Sequence, residues 1–494
     1  MLTDLNTRAR PVRDRARYRH AWPASCGSAG TAQKGHRVKT PVLTCPHQWT
    51  PNSRCPVCRP GHGAGDPVDF FEHASWTAGV IGLGYVGLPL AVAASNAGLS
   101  CIGFDVSTRT VAQVRDGSSH VDDVSDAELR QALDGGLVVT DDPARLDADA
   151  IFIAVPSPLG RNRQPDMSYI EAAAATIRDV VRPGQLVSLE STTYPGTTDD
   201  ILVPAATSTG LVLDRDVFVA FSPERVDPGN ERSTAQIPKV VGGVTEQSGR
   251  VAAAAYARIV PAIHRVATAR AAEMTKLLEN TYRAVNIGLV NELAQLCHEL
   301  GIDVWEVVEA ADTKPFGFQA FHPGPGVGGH CIPLDPQFLA WRAREARFAT
   351  RFIDLAEQVN TGMPIYTAAR ASELLNRRGQ PTFGARILAV GVAYKPNVAD
   401  SRESPALDVI TELRRRGAEI SVFDPLVGDE HIRQLGWTPS RGTDIELAGY
   451  DLAVVLTDHD AVDYKRLAAH VPLVFDARGA YRRRTIPADN VVAL

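Results

Sequence analysis

A chain of 494 residues sets a prior of about three domains at roughly 150 residues each, ample to bury real cores. With 44% hydrophobic and 22% charged residues, and with 40 Gly and 33 Pro near average usage, it reads as a soluble globular protein and excludes a coat, a coil or a disordered tail. The net charge of −6 hides an asymmetry. Residues 1–76 hold eleven Lys/Arg against five Asp/Glu, so the other 418 residues sum to −12, which argues against nucleic acid or anionic membrane as the main partner.

The first 76 residues show no period of two or 3.6 and end in the loop-like run Gly61–Pro67, so they read as a basic, disordered leader. Cys45, His47, Cys55, Cys58 and His62 supply enough soft ligands for a tetrahedral zinc, but a single C-x-x-C with irregular partners is a weak signal, and no metal is assigned. No apolar segment follows the arginines, and no stretch approaches the roughly 18 uninterrupted apolar residues of a membrane span. The protein is expected in the cytosol. Only Cys101, Cys297 and Cys331 serve the remainder, which is no disulfide framework.

From Thr77 to about Val266, apolar runs of four to eight residues alternate with amphipathic stretches, the pattern of βαβ units around a parallel sheet. The strand-like Ala78–Ile81 runs straight into Gly82-Leu-Gly84-Tyr85-Val86-Gly87, followed by the helical Leu88–Ala97. Gly82 allows the tight turn, Gly84 lets a pyrophosphate approach the backbone, Gly87 lets helix and strand pack closely, and the helix N-terminus faces the phosphates. A lone GxGxxG can serve packing alone. Here a second strand, Leu99–Phe104, ends in Asp105, 18 residues past Gly87, where a carboxylate binds ribose hydroxyls and repels a 2′-phosphate. NAD is therefore expected rather than NADP.

A long helical pattern runs from Thr268 to about Leu300 and on through Val304–Ala311. Lys276 and Asn280 stand at i and i+4 on its one face, suited to stabilising an alkoxide and orienting a substrate or water; a solvated lysine beside a polar neighbour is the bland alternative. Next comes Pro323-Gly-Pro-Gly-Val-Gly-Gly-His-Cys331-Ile-Pro-Leu-Asp335, a cysteine on a backbone that a ligand can approach, with a possible base nearby; a buried structural cysteine is the alternative. A second set of strands begins at Arg386–Val392 and recurs at Ile420–Phe423, Leu452–Leu456 and Leu473–Phe475. The architecture inferred is α/β, with two Rossmann-like doubly wound domains at 77–266 and 381–494 joined by a helical middle, 267–380, that carries the cysteine loop.

Residue by residue, these motifs match a family. The chain resembles the UDP-glucose/GDP-mannose dehydrogenases over about residues 77–485, through Gly82–Leu90, Val155–Pro158, Glu190–Thr198, Ser222–Val226, Lys276–Asn280, Pro323–Asp335, Ala393–Pro396 and Asp400–Ser404. Within that family Ser222–Asn230 and Thr313–Phe318 are similar to the N-acetylhexosamine branch. Asp227-Pro228 departs from the UDP-glucose pattern, and Ser157 stands where threonine is usual, with the hydroxyl kept.

The resemblance implies two NAD-dependent oxidations at C6 of a UDP-sugar, UDP-N-acetylglucosamine favoured and UDP-N-acetylmannosamine or UDP-glucose as alternatives. In it Cys331 is the nucleophile, Lys276 and Asn280 stabilise the oxyanion, Asp335 and a water positioned by Thr192 are candidate bases, and Glu224 assists thioester hydrolysis. The cofactor is assigned to Gly82, Gly84, Tyr85, Val86, Gly87, Asp105, Arg109, Ser157, Thr192 and Arg402. The substrate is assigned to Arg225, Val226, Lys276, Asn280, Arg283, Gly328, Tyr394 and Lys395. The second α/β domain has Gly391-Val-Ala-Tyr-Lys-Pro396 in place of a GxGxxG, so a uridine nucleotide is its expected ligand. Relatives also imply a homodimer or higher homo-oligomer through the long helix, with Ala284, Val285, Leu289, Leu293 and Leu296 in its apolar positions; an intramolecular packing face is the alternative. A single-hydride β-hydroxyacid-type dehydrogenase, lacking the cysteine loop and second nucleotide domain, and a non-catalytic nucleotide-sugar binder are the competing readings.

Overall fold

The computed structural model describes residues 65–494 other than 122, 161–162, 226–236, 330 and 442–443. The cysteines and histidines of the leader, and Val226, lie outside the described residues.

The first sheet has eight strands: β1 Thr77–Ile81, β2 Ser100–Phe104, β3 Leu137–Thr140, β4 Ala150–Ile153, β5 Gln185–Leu189, β6 Val217–Phe221, β7 Lys239–Gly243 and β8 Ile263–Val266, in the order β3-β2-β1-β4-β5-β6-β7-β8. Strands β4 to β7 are buried along their whole length, as expected of strands covered on both faces, which is why they read as continuous apolar runs. All pairs are parallel except β6 and β7, which meet antiparallel through Ala220–Gly243 and Phe221–Gly242. Strand order reverses beside β1, and ligands of open α/β sheets bind at such a crevice. The second sheet, β9 Arg386–Val390, β10 Glu419–Phe423, β11 Thr438–Pro439, β12 Leu452–Val455, β13 Val474–Asp476 and β14 Val491–Ala493, has the order β11-β10-β9-β12-β13-β14 and is parallel throughout. Its reversal lies at β9, whose end runs into Gly391–Pro396.

The separate-leader reading fails at its C-terminal end. Asp66 caps a helix at Pro67–His73, Phe71 and Trp76 are buried in the first core, and the Trp76 indole N–H donates to the Phe71 carbonyl at 3.0 Å. This short segment packs on the helix Glu246–Ala257; a helix of seven residues is too short to declare a period.

Between the sheets, the connecting helix Ala269–Leu300 starts at Thr268, whose hydroxyl accepts from the Ala271 N–H, and ends at Gly301 with φ 68°. At 32 residues it spans about 48 Å. It packs along the helix Arg351–Arg377, whose Ala356 comes so close at Gly288 that a Cβ there would lie 3.1 Å from the Ala356 Cα. Asn291 and Asn360 lock this crossing. The Asn291 side-chain amide donates to Asn360 Oδ1 at 3.0 Å, Asn360 donates to the Ala284 carbonyl at 3.0 Å, and Asn291 Oδ1 accepts from the Gly324 N–H at 3.0 Å. Buried polar groups joined in this way specify one arrangement, here seating the cysteine loop on both helices.

Candidate active site

The nucleotide loop is built by contacts that only glycine permits. A Cβ at Gly87 would lie 1.8 Å from the Gly82 carbonyl oxygen, whereas nothing stands within 4 Å of a Cβ at Gly84, the side open to a ligand. The helix Gly87–Asn96 begins without a side-chain cap, so its positive end is left for an anion. Asp105 receives the Leu83 N–H at 2.9 Å and the Ser107 N–H at 2.8 Å, fixing the carboxylate beside the loop with capacity to accept from ribose hydroxyls. These residues fit a dinucleotide. Gly87→Ala is expected to weaken NADH binding by at least about tenfold, with a fall in melting temperature; unchanged affinity in a fluorescence titration would contradict this packing role.

Tyr85 and Val86 of that loop line a cleft with Pro223, Glu224, Arg225 and Lys239 opposite them. Behind it lies a polar cluster. Lys239 donates to Glu190 at 2.7 Å and to Glu224 at 3.2 Å, while the Tyr256 hydroxyl donates to Glu190 at 2.7 Å. The Lys276 ammonium donates to the Glu224 backbone carbonyl at 2.8 Å. Arg225 spans from Glu279, at 2.6 Å, to the Pro238 carbonyl, at 2.8 Å.

The cysteine loop follows. Cys331 is exposed, and its carbonyl accepts the Asp335 N–H at 2.9 Å, a turn that leads into the helix Asp335–Glu345. Asp335 itself is buried, accepts from the Asn280 side-chain amide at 2.5 Å, and feels the charges of Lys276 and Arg283. Burial outweighs these stabilising partners and pushes its carboxyl from 3.8 up to about 6, near the range of a working base. Thus Lys276, Asn280, Asp335 and the Cys331 turn meet around one point, and the i,i+4 spacing on the connecting helix is what allows it.

Asp335 carries a stability consequence. Below pH 4 both folded and unfolded forms are neutral; between 4 and 6 the unfolded carboxyl ionises first; above 6 the folded state bears the full cost, about 3 kcal/mol. Asp335→Asn is therefore expected to melt higher than the parent at pH 8, with the gap closing near pH 4, while activity falls. An equal gap at both pH values would contradict it.

The second α/β domain closes on both sites. The Arg402 guanidinium lies 5.3 Å above the Tyr85 ring of the nucleotide loop and pairs with Asp400 at 2.6 Å, while the Lys395 ammonium sits 6.0 Å from the Tyr394 ring. Gly328 proves to be a packing position, because a Cβ there would lie 2.5 Å from the Glu403 carbonyl and 3.0 Å from the Tyr394 Cβ. That packing seats the cysteine loop against the second domain at Gly328, which is also assigned to the substrate. Thr192 is half-buried on the loop whose neighbour Thr193 bonds to Thr197 at 2.5 Å; Ser157 is half-buried and Arg109 exposed. That loop is held by buried Glu273, which accepts from the Gly196 N–H at 2.6 Å and the Thr198 hydroxyl at 2.7 Å.

Lys239, Glu273 and Arg478 escaped the sequence reading, and Glu190 entered it only as the first residue of the Glu190–Thr198 motif. Arg478 stands between the cysteine loop and the second sheet, near enough to Gly324 that a Cβ there would lie 2.7 Å from its guanidinium. Burial and the neighbouring Arg483 cation lower its pKa to about 10 against the pull of Asp458 and Asp476. A charged residue heading an all-buried strand, as Lys239 does, was the available signal.

The chain matches, in order, the NAD binding domain (residues 77–260), the central domain (270–362) and the UDP binding domain (388–483) of the UDP-glucose/GDP-mannose dehydrogenase family. It belongs to that family and is an NAD-dependent nucleotide-sugar dehydrogenase. It is 35% identical to the UDP-N-acetyl-D-glucosamine 6-dehydrogenase of Pseudomonas aeruginosa over 79% of this chain and 92% of that protein. It is 36% identical to the NDP-N-acetyl-D-galactosaminuronic acid dehydrogenase of Ralstonia nicotianae over 83% and 98%. The structure superposes on that of UDP-D-ManNAc dehydrogenase from Pyrococcus horikoshii with a TM-score of 0.76 at 32% identity, covering 84% and 98%. Among the described residues no helix is long and apolar enough to cross a membrane.

Proposed function

We propose that the protein oxidises C6 of a UDP-N-acetylhexosamine, UDP-N-acetylglucosamine in the first place, through two NAD-dependent steps to the uronate. The observation that carries this is the convergence of an exposed thiol, a buried carboxyl poised near pH 6, and the Lys276/Asn280 pair on elements that meet. The named sugars of the relatives, N-acetylated at C2, support the branch.

Bound NAD supplies the hydride acceptor for both oxidations and is assigned to Gly82, Gly84, Tyr85, Val86, Gly87, Asp105, Arg109, Ser157, Thr192 and Arg402. Asp335, ionised above about pH 6, takes the proton of the C6 hydroxyl, directly or through water near Thr192. Lys276 and Asn280 hold the developing oxyanion. The Cys331 thiol adds to the aldehyde, forming a C–S bond while its proton passes to the oxygen, so the intermediate is never released. Loss of the hydroxyl proton to Asp335 or water, with transfer of the second hydride to a fresh NAD that has replaced the NADH, leaves a thioester. Glu224 then activates a water whose attack frees the carboxylate and restores the thiol. Arg225, Val226, Arg283, Gly328, Tyr394 and Lys395 are assigned to the UDP-sugar, with Arg478 proposed as a further cation for its diphosphate.

The domain division follows as 77–266 for NAD, 267–380 for the cysteine loop and 381–494 for UDP, in a cytosolic enzyme. Leu289, Leu293, Leu296 and Leu300 are exposed along the connecting helix, at 56%, 39%, 51% and 62%, a row that supports a homodimer built there. Incubation with NAD and a panel of UDP- and GDP-sugars, with the acid identified, tests the reading. UDP-N-acetylglucosamine is expected to turn over fastest. A preference for UDP-glucose or GDP-mannose would overturn the assignment.

A further inference from the structure

The polar cluster behind Glu224 has a lopsided construction. Glu190 is sealed, with 0% side-chain exposure, Lys239 touches the cleft at 8%, and Glu224, at 22%, is the carboxylate that opens onto it. One ammonium therefore serves two carboxylates, of which one alone can meet water or substrate. A pair of buried carboxylates side by side would share a proton, and a protonated Glu224 could not act as a base. A buried ion pair is weak evidence for stability, so the question is what its charge does.

We propose that Lys239 is a positioning residue for the acyl-enzyme hydrolysis: it keeps the Glu224 carboxylate ionised and aimed at the cleft, while Glu190 and Tyr256 anchor the ammonium from behind. The proposal rests on the reading of Glu224 given above. Every element packed against the cluster contributes. Glu190 and Ser188 come from the end of β5, and Tyr256 comes from the helix Glu246–Ala257, with its hydroxyl donating to Glu190 at 2.7 Å and lying 2.9 Å from Ser188 Oγ. From the turn after β6, Ser222 is a buried neighbour and the Arg225 N–H donates to the other Glu224 oxygen at 2.7 Å. The connecting helix adds Lys276, bonded to the Glu224 carbonyl, and Glu279, paired with Arg225. Burial alone would lower the Lys239 pKa, but its two carboxylate partners outweigh that and raise it. Glu190 moves upward through burial, against the opposing pull of Lys239. The ammonium is thus charged throughout the working range.

Glu190 and Glu224 compete for this one cation, so removing the cation and removing its competitor Glu190 should move Glu224 in opposite directions. In Lys239→Met the thioester, formed in a rapid NADH burst, should decay about tenfold or more slowly. The acid limb of that decay should shift upward by about one pH unit, with the hydride steps falling far less. In Glu190→Gln the amide leaves Lys239 to Glu224 alone, and the same limb should shift downward. Lys239→Arg, which keeps the charge, should restore the limb toward wild type. Melting curves and NADH binding report folding; if Lys239→Met does not fold, Glu190→Gln and Lys239→Arg still decide the outcome. Limbs that stay put, or move in the same direction in both charge-removing variants, overturn the proposal. Glu224→Gln separates the two layers: normal decay there overturns the Glu224 reading and this proposal with it, whereas stalled decay beside unmoved limbs overturns the proposal alone.

Discussion

Cys331→Ala is expected to form no detectable uronate, a loss on the order of 10⁴-fold or more. The side chain sits at the start of the turn whose carbonyl accepts the Asp335 N–H, on a loop seated by Gly324 on Asn291 and by Gly328 against the second α/β domain. Replacing the thiol by a methyl leaves those backbone contacts intact, so nucleotide binding should persist and the loss should fall on the chemistry. Without a covalent tether the aldehyde can leave or sit as an untethered carbonyl, and no thioester can form. Mass spectrometry of the parent enzyme, quenched in turnover, should show the sugar nucleotide attached through Cys331 and nothing attached in the variant. Normal uronate production by Cys331→Ala would refute the covalent route.

Lys276→Ala should slow both oxidations by about 10²–10³-fold, the size seen when one preorganised oxyanion donor is removed. The ammonium approaches the Glu224 carbonyl at 2.8 Å and its charge reaches buried Asp335. It stands one helical turn from Asn280, which bonds Asp335 in turn. In the proposed mechanism this one cation faces the oxygen at C6 in the alcohol step and again in the thiohemiacetal step. Its loss should also raise the Asp335 pKa further, because an opposing charge that lowers it is gone, and the acid limb of the first oxidation should move upward. Single-turnover measurement of NADH from the alcohol and from separately supplied aldehyde distinguishes the steps; a defect in only one of them would contradict the shared role.

Much of this was legible in residues that interact locally. Gly82–Gly87 followed by a helix, Asp105 at the end of the next strand, and Lys276 four residues before Asn280 are short-range patterns, and in the fold Asp105 accepts the Leu83 N–H and Asn280 donates to Asp335. The connecting helix begins within a residue of its expected start because Thr268 is a polar cap immediately before the helical pattern. What escaped depends on pairings between residues far apart in the chain. Lys239 meets Glu190 across 49 residues, and Arg402 meets Tyr85 from another domain; no periodicity encodes either. The antiparallel turn of β7 against β6 is likewise invisible, since apolar runs carry no direction. Glycine signals that something comes close, and at Gly328 the sequence does not say that Glu403 and Tyr394 of this same chain are close neighbours.

Two hydrides are expected to leave the same carbon. Counting NADH formed per UDP-N-acetylglucosamine consumed, with limiting sugar and excess NAD, measures it directly. Two NADH for each uronate are expected; one NADH per sugar, with the aldehyde or ketone as final product, would contradict the account.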